Sequence, residues 1–196
     1  MDILGGWVLE AACEQLAAWQ AAGHDLHVSV NISARQLKSG ALVQQVRQAL
    51  QRSGVRPGAL ELEVTEGTLI DNLEEVGEQL QRIKQTGVTI ALDDFGTGYS
   101  SLTYLQRLPL DILKIDRSFV QALGRESTAG SIVYSILALA HALGKIVVAE
   151  GVEHDEQLVQ LRSWGCDQIQ GNYYSRPLTA GELEKLLTPS RPAEIH

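Results

Sequence analysis

Six short apolar runs in this chain each end in a polar or charged residue: Asn31, Glu63, Asp93 with Asp94, Lys114, Glu150 and Gln170. Helical patterns separate the runs, and the steps from Asn31 to Gln170 average about 28 residues, a length that suits βα units in a parallel sheet. In (β/α) barrels, catalytic groups come from the C-terminal ends of several strands and meet at one mouth. A doubly wound open sheet instead gathers its ligand contacts at a single switch point. Polar ends on all six runs therefore favour an α/β fold of the TIM-like (β/α) barrel type. Only 30 residues precede Asn31 and most read as helix, so the expected barrel is incomplete at its N-terminus, with about six of the eight strands present.

The pattern predicts a helix over 4–22, from Leu4, Trp7, Val8, Ala11, Ala12, Leu16 and Trp19, followed by a strand over 27–31. A helix over 36–53, a strand over 59–65, a helix over 72–86 and a strand over 88–93 come next. Then follow a short helix over 100–107, a strand over 110–115, a helix over 128–143, a strand over 145–150, a helix over 155–163, a strand over 167–174 and a helix over 180–187. Gly23, Gly54, Gly87, Gly144 and Gly165 lie just after five of the helices, where a left-handed C-cap suits glycine. One domain is expected over 1–187. The tail over 188–196 carries two prolines and is expected to fray.

The formal charge of −8, from 24 acidic residues against 16 Lys and Arg, argues against a general DNA, RNA or membrane-surface binder, which is normally basic. A phosphate ligand would need local positive charge from a metal or from a few placed cations. No signal core and no run of 18 apolar residues occurs, so a cytoplasmic location is expected, possible also for the cytoplasmic part of a longer, membrane-bound protein. The two cysteines, Cys13 and Cys166, are read as separate reduced thiols.

Glu63, Asp93 and Asp94 would place three carboxylates at one mouth, with the Asn31 carbonyl oxygen beside them. Like charges so close are costly without a cation. Oxygen ligands without Cys or His clusters favour Mg²⁺ or Mn²⁺. An adjacent aspartate pair at a strand-to-loop break suits one carboxylate bridging two ions, the arrangement of two-metal phosphodiester hydrolysis. Lys114 ends an apolar run and is expected to face the barrel interior, holding either a water or a phosphate oxygen; its plainer role is counter-ion to Asp116 or Glu150. Glu150 either orients and deprotonates water or is a further metal ligand. Phe95, Gly96, Thr97 and Gly98 open a loop whose glycines permit unusual backbone angles. Glu66 either anchors that loop or simply opens the next helix. The five histidines share no ligand spacing, and no G-x-S-x-G elbow or P-loop is present.

The strings Val30-Asn31-Ile32-Ser33, Glu61-Leu62-Glu63-Val64-Thr65-Glu66, Asp93-Asp94-Phe95-Gly96-Thr97-Gly98-Tyr99-Ser100-Ser101, Leu113-Lys114-Ile115-Asp116, Ala149-Glu150-Gly151-Val152-Glu153, Gln170-Gly171 and Ser175-Arg176-Pro177-Leu178 together resemble the ordered motifs of EAL-type cyclic-di-GMP phosphodiesterase domains. The resemblance implies that Asn31, Glu63 and Asp93 bind one ion and that Asp93 and Asp94 hold the second. It implies that Lys114 and Glu150 position and activate water, with Gln170 supporting them, and that cyclic di-GMP is cut to linear pGpG. Arg176 and Pro177 fall where the family lines its substrate cleft. A homodimer through the helix near 100–107 is also implied. The family's Glu-Ala-Leu strand, whose glutamate is a metal ligand, is absent from these residues. This span by itself is therefore expected to be weak or inactive. The alternative is a degenerate EAL module that binds cyclic di-GMP or a protein partner without hydrolysis.

Overall fold

The computed structural model describes residues 2–69, 73–96, 102–124 and 128–187. Its six strands are β1 (Val28–Asn31), β2 (Leu60–Thr65), β3 (Thr89–Phe95), β4 (Ile112–Ile115), β5 (Ile146–Glu150) and β6 (Gln168–Gln170). They form one sheet in sequence order, and every neighbouring pair is parallel. Helices α1 (Asp2–Ala21), α2 (Ala34–Lys38), α3 (Leu42–Ser53), α4 (Glu66–Leu69), α5 (Leu73–Lys84), α6 (Leu102–Arg107), α7 (Arg117–Gln121), α8 (Ala129–Ala142), α9 (Asp155–Ser163) and α10 (Ala180–Leu187) connect and flank them. This is the incomplete TIM-like α/β fold that the strand ends predict.

Period-2 alternation sorts each strand into two faces. Leu62, Val64, Ile90, Leu92, Leu113, Ile115, Val147 and Ala149 belong to the main core beneath the helices. On the inner face Ala91, Ile112 and Val148 form a small buried apolar cluster, with the exposed Ile146 opposite Ile112. The rest of that face is polar: Ser29, Glu61, Thr89, Lys114, Gln168 and Gln170 line a concave cavity of about 470 Å³. Burial on one side and chemistry on the other follow from this alternation.

Several boundaries differ from the sequence reading, each for a local reason. The helix expected over 36–53 is broken into α2 and α3, because Ser39 caps α2 and Gly40 takes a left-handed φ of +67°. The helix expected over 72–86 appears as α5, and a separate short helix, α4, precedes it, with residues 70–72 outside the described set. Between β4 and α8, α7 was not anticipated; Asp116 caps it by accepting a hydrogen bond from the Ser118 amide at 3.0 Å. The strand expected over 167–174 ends at Gln170, after which the chain turns and the Tyr173 amide donates to the Val152 carbonyl at 2.9 Å. In α1 the buried stripe is Leu9, Cys13 and Leu16, whereas Leu4 and Trp7 are more than 60% exposed. Cys13 and Cys166 are both free thiols. No helix among the described residues is long and apolar enough to cross a membrane.

Candidate active site

The parallel register lines up the strand ends: Asn31 lies opposite Glu63, Thr65 opposite Asp93, and Glu150 opposite Gln170. Lys114 sits among them, 4% exposed. Its Nζ donates to Glu63 Oε1 at 2.7 Å and pairs with Glu150 Oε1 at 2.6 Å and Asp93 Oδ1 at 3.6 Å. Of the two counter-ions considered for Lys114, Glu150 is one, while Asp116 is engaged at the α7 cap instead. Burial works against the Lys114 charge, but its hydrogen bonds with Glu150 and Glu63 outweigh it and hold the ammonium well above the ordinary lysine range.

Consecutive strand residues normally point to opposite faces, so Asp93 and Asp94 need a device to share one mouth. That device is a break in register between Leu92 and Phe95, where three residues of β3 span two of β4. At the break Asp94 adopts φ +57°, the sole non-glycine residue with positive φ among those described. Aspartate tolerates this region because its short side chain can bond locally. The Asp94 amide donates to Asp93 Oδ1 at 3.0 Å. As a result one oxygen each of Asp93, Asp94 and Glu150 lie within 4.8 Å of one another.

Such crowding has electrostatic consequences. Burial, and then the neighbouring Asp93 carboxylate, push the Asp94 carboxyl up. Burial also raises Glu150, partly offset by its hydrogen bond to Lys114. A group of converging oxygen donors that resists full ionisation is what a hard divalent cation would neutralise, so the donor set fits Mg²⁺ or Mn²⁺.

The loop that follows is held from below. Glu66 opens α4 and is 3% exposed; its Oε2 also accepts from the Gly96 amide at 3.3 Å. Gly96 has φ +99°, and a Cβ there would lie 2.7 Å from the Phe119 ring. Both the backbone angle and the close packing require glycine. Phe95 is buried as the last residue of β3. Thr97 and Gly98 lie outside the described residues.

The other expected residues are more exposed. Asn31 and Gln170 are exposed at the ends of β1 and β6. Arg176 and Pro177 are exposed beyond β6, and Arg176 lines a cavity with Trp19, Leu178 and Leu183, not the one beside the carboxylates. Two residues escaped the sequence reading. Glu61 shares the inner face with Glu63, accepts from Ser29 Oγ at 3.0 Å, and is pushed up chiefly by burial. Its position two residues before Glu63 in a strand was the available signal. Arg117 follows the β4 end and lines a second cavity of about 470 Å³ with Asp94, Glu150 and Gln170.

The family comparison agrees with this geometry. The EAL domain model matches residues 1–177. A cyclic di-GMP phosphodiesterase, NbdA of Pseudomonas aeruginosa, is 45% identical over 192 residues, covering 97% of this chain and 24% of that protein. Signaling protein YkoW of Bacillus subtilis is 39% identical over 184 residues, 94% of this chain and 23% of its own length. The chain thus spans about a quarter of these curated relatives. Among solved structures, the PaMucR phosphodiesterase in complex with c-di-GMP superposes with a TM-score of 0.88 at 44% identity, covering 92% of this chain and 73% of that one. The EAL domain of Mycobacterium smegmatis DcpA gives a TM-score of 0.89 at 39% identity, over 94% and 83% of the two chains. With the motifs, the parallel sheet and the acidic strand ends all in agreement, the chain belongs to the EAL domain family.

Proposed function

We propose that this chain carries the catalytic face of a metal-dependent cyclic di-GMP phosphodiesterase that hydrolyses one phosphodiester to give linear pGpG in the bacterial cytoplasm. The observation that carries the reading is the convergence of Asp93, Asp94 and Glu150 within 4.8 Å around the buried Lys114. Asn31, Glu63, Asp93 and Asp94 are the residues that would hold two Mg²⁺ or Mn²⁺ ions. When bound, such ions stabilise the charge that develops on the attacking and leaving oxygens.

The protein's own groups supply the remainder. Lys114 fixes the Glu63 and Glu150 carboxylates relative to one another through Oε1 of each. That leaves Glu150 Oε2 as the acceptor for the proton of the attacking water. Gln170, opposite Glu150 in register, is suited to orient that water through its amide. Arg176 and Pro177 would contact the outer part of the substrate, and the helix near 100–107 would form a homodimer contact, which light scattering tests directly.

The test is incubation with Mn²⁺ and cyclic di-GMP, with the products resolved chromatographically. Linear pGpG is expected at most slowly from this span, and none from Glu150→Gln. A protein that also supplies the Glu-Ala-Leu glutamate is expected to turn over faster than the 196-residue span. Tight cyclic di-GMP binding with no product in either would instead identify a binding module.

A further inference from the structure

The second cavity beside the carboxylates is lined by four acids, Asp94, Asp116, Glu150 and Glu153, and by one cation among the described residues, Arg117. Arg117 is exposed and forms no ion pair with the described residues, although its charge is felt at Asp94. Its placement is built in. Gly151, directly after Glu150, has φ +73°, and a Cβ there would lie 2.6 Å from the Arg117 Cβ. Only glycine at this position lets the first residue of α7 pack against the end of β5, and that contact brings the guanidinium to the rim of the acidic mouth.

Resting on the function proposed above, we infer that Arg117 is a substrate-binding residue for the phosphodiester of the cyclic dinucleotide that is not being cleaved. The substrate carries two phosphates. One belongs at the Asp93, Asp94 and Glu150 cluster, where bound cations would offset its charge. The other must lie a few ångströms away beside a surface that is otherwise anionic, so it requires a cation of its own. A guanidinium presents paired N–H donors that match phosphate oxygens, and Arg117 is the described residue in this cavity able to do so.

Calorimetric titration of cyclic di-GMP into the Ca²⁺-loaded protein tests this, with parallel Mn²⁺ titrations and thermal unfolding. Arg117→Ala is expected to weaken cyclic di-GMP binding about 10- to 100-fold, the range for losing a charge-assisted hydrogen bond, and Arg117→Lys to weaken it less. Mn²⁺ affinity and the unfolding midpoint should match the wild type. Unchanged cyclic di-GMP affinity in Arg117→Ala overturns the inference and leaves the substrate reading standing. An equal loss of Mn²⁺ affinity also overturns it, since Arg117 would then only support the acid cluster. A wild type that binds Mn²⁺ but no cyclic di-GMP overturns the substrate reading and this inference together.

Discussion

Lys114→Met removes the ammonium while keeping a side chain of similar length, and it isolates the electrostatic logic of the site. Lys114 Nζ lies 2.7 Å from Glu63 and 2.6 Å from Glu150, with Asp93 at 3.6 Å. Removing one partner from a buried ion pair costs about 3–5 kcal/mol, because the remaining charge stays buried without compensation. For a chain of this size, about 2–4 °C of midpoint corresponds to each kcal/mol, so the metal-free variant should melt about 10 °C lower. The pH dependence has a definite sign. Burial already pushes the Glu150 carboxyl up against the opposing Lys114 hydrogen bond, so without Lys114 its folded pKa rises further above the unfolded one. A raised carboxylate favours folding below its unfolded pKa, about 4, and loses that contribution as pH rises through the folded value. The deficit of the variant is therefore largest near neutral pH and shrinks toward pH 4. Because Lys114 itself is held upward, its contribution in the wild type persists through neutral pH and is lost only in strong alkali. Mn²⁺ at 100 times its dissociation constant should return about 2.7 kcal/mol to the variant by mass action. Differential scanning calorimetry in EDTA and in Mn²⁺, from pH 4 to 8, reads all of these. A deficit that neither pH nor Mn²⁺ alters would refute the electrostatic account and leave only lost packing.

Asp94 separates backbone from charge. Asp94→Asn keeps a residue that tolerates φ +57°, whereas Asp94→Ala should cost about 1–2 kcal/mol in strain, measurable by urea denaturation. Because burial and Asp93 push Asp94 up, ionised Asp94 opposes folding above its folded pKa. Asp94→Asn should consequently stabilise the metal-free protein at neutral pH, with the gain vanishing below about pH 4, while Mn²⁺ binding is lost. Gly171 probes the β5–β6 joint: a Cβ there would lie 2.2 Å from the Val152 carbonyl oxygen. Gly171→Ala should cost about 3 kcal/mol or more through forced displacement of backbone. Gly144→Ala, whose Cβ meets nothing within 4 Å, should cost only about 1–2 kcal/mol for its positive φ; equal losses in the two denaturation curves would count against the packing argument.

Much of this protein is legible in one dimension because strands report their surroundings locally. Apolar runs such as Ile112 to Ile115 and Ile146 to Ala149 are buried, apart from Ile146, which begins β5 on the concave face. A charge that interrupts or ends such a run marks where the sheet meets the site. Hence the six strands, their parallel order and most of the acidic cluster followed from the sequence. Helix breaks were less legible: Ser39 and Gly40 divide one amphipathic stretch through capping and a single left-handed residue, which leave the hydrophobic period almost untouched. The α7 turn was hidden for a similar reason, since five residues are too few to show periodicity.

What the sequence by itself determined was the set of chemical groups and the end of the sheet at which they gather, because side-chain alternation and strand polarity are properties of neighbouring residues. Which groups touch was decided only by the tertiary structure. The register break that turns Asp93 and Asp94 to the same side, the choice of Glu63 and Glu150 over Asp116 as partners of Lys114, and the seating of Arg117 against Gly151 all join residues far apart in the chain. Such contacts depend on how strands stack and where backbones approach, and no local pattern encodes those distances.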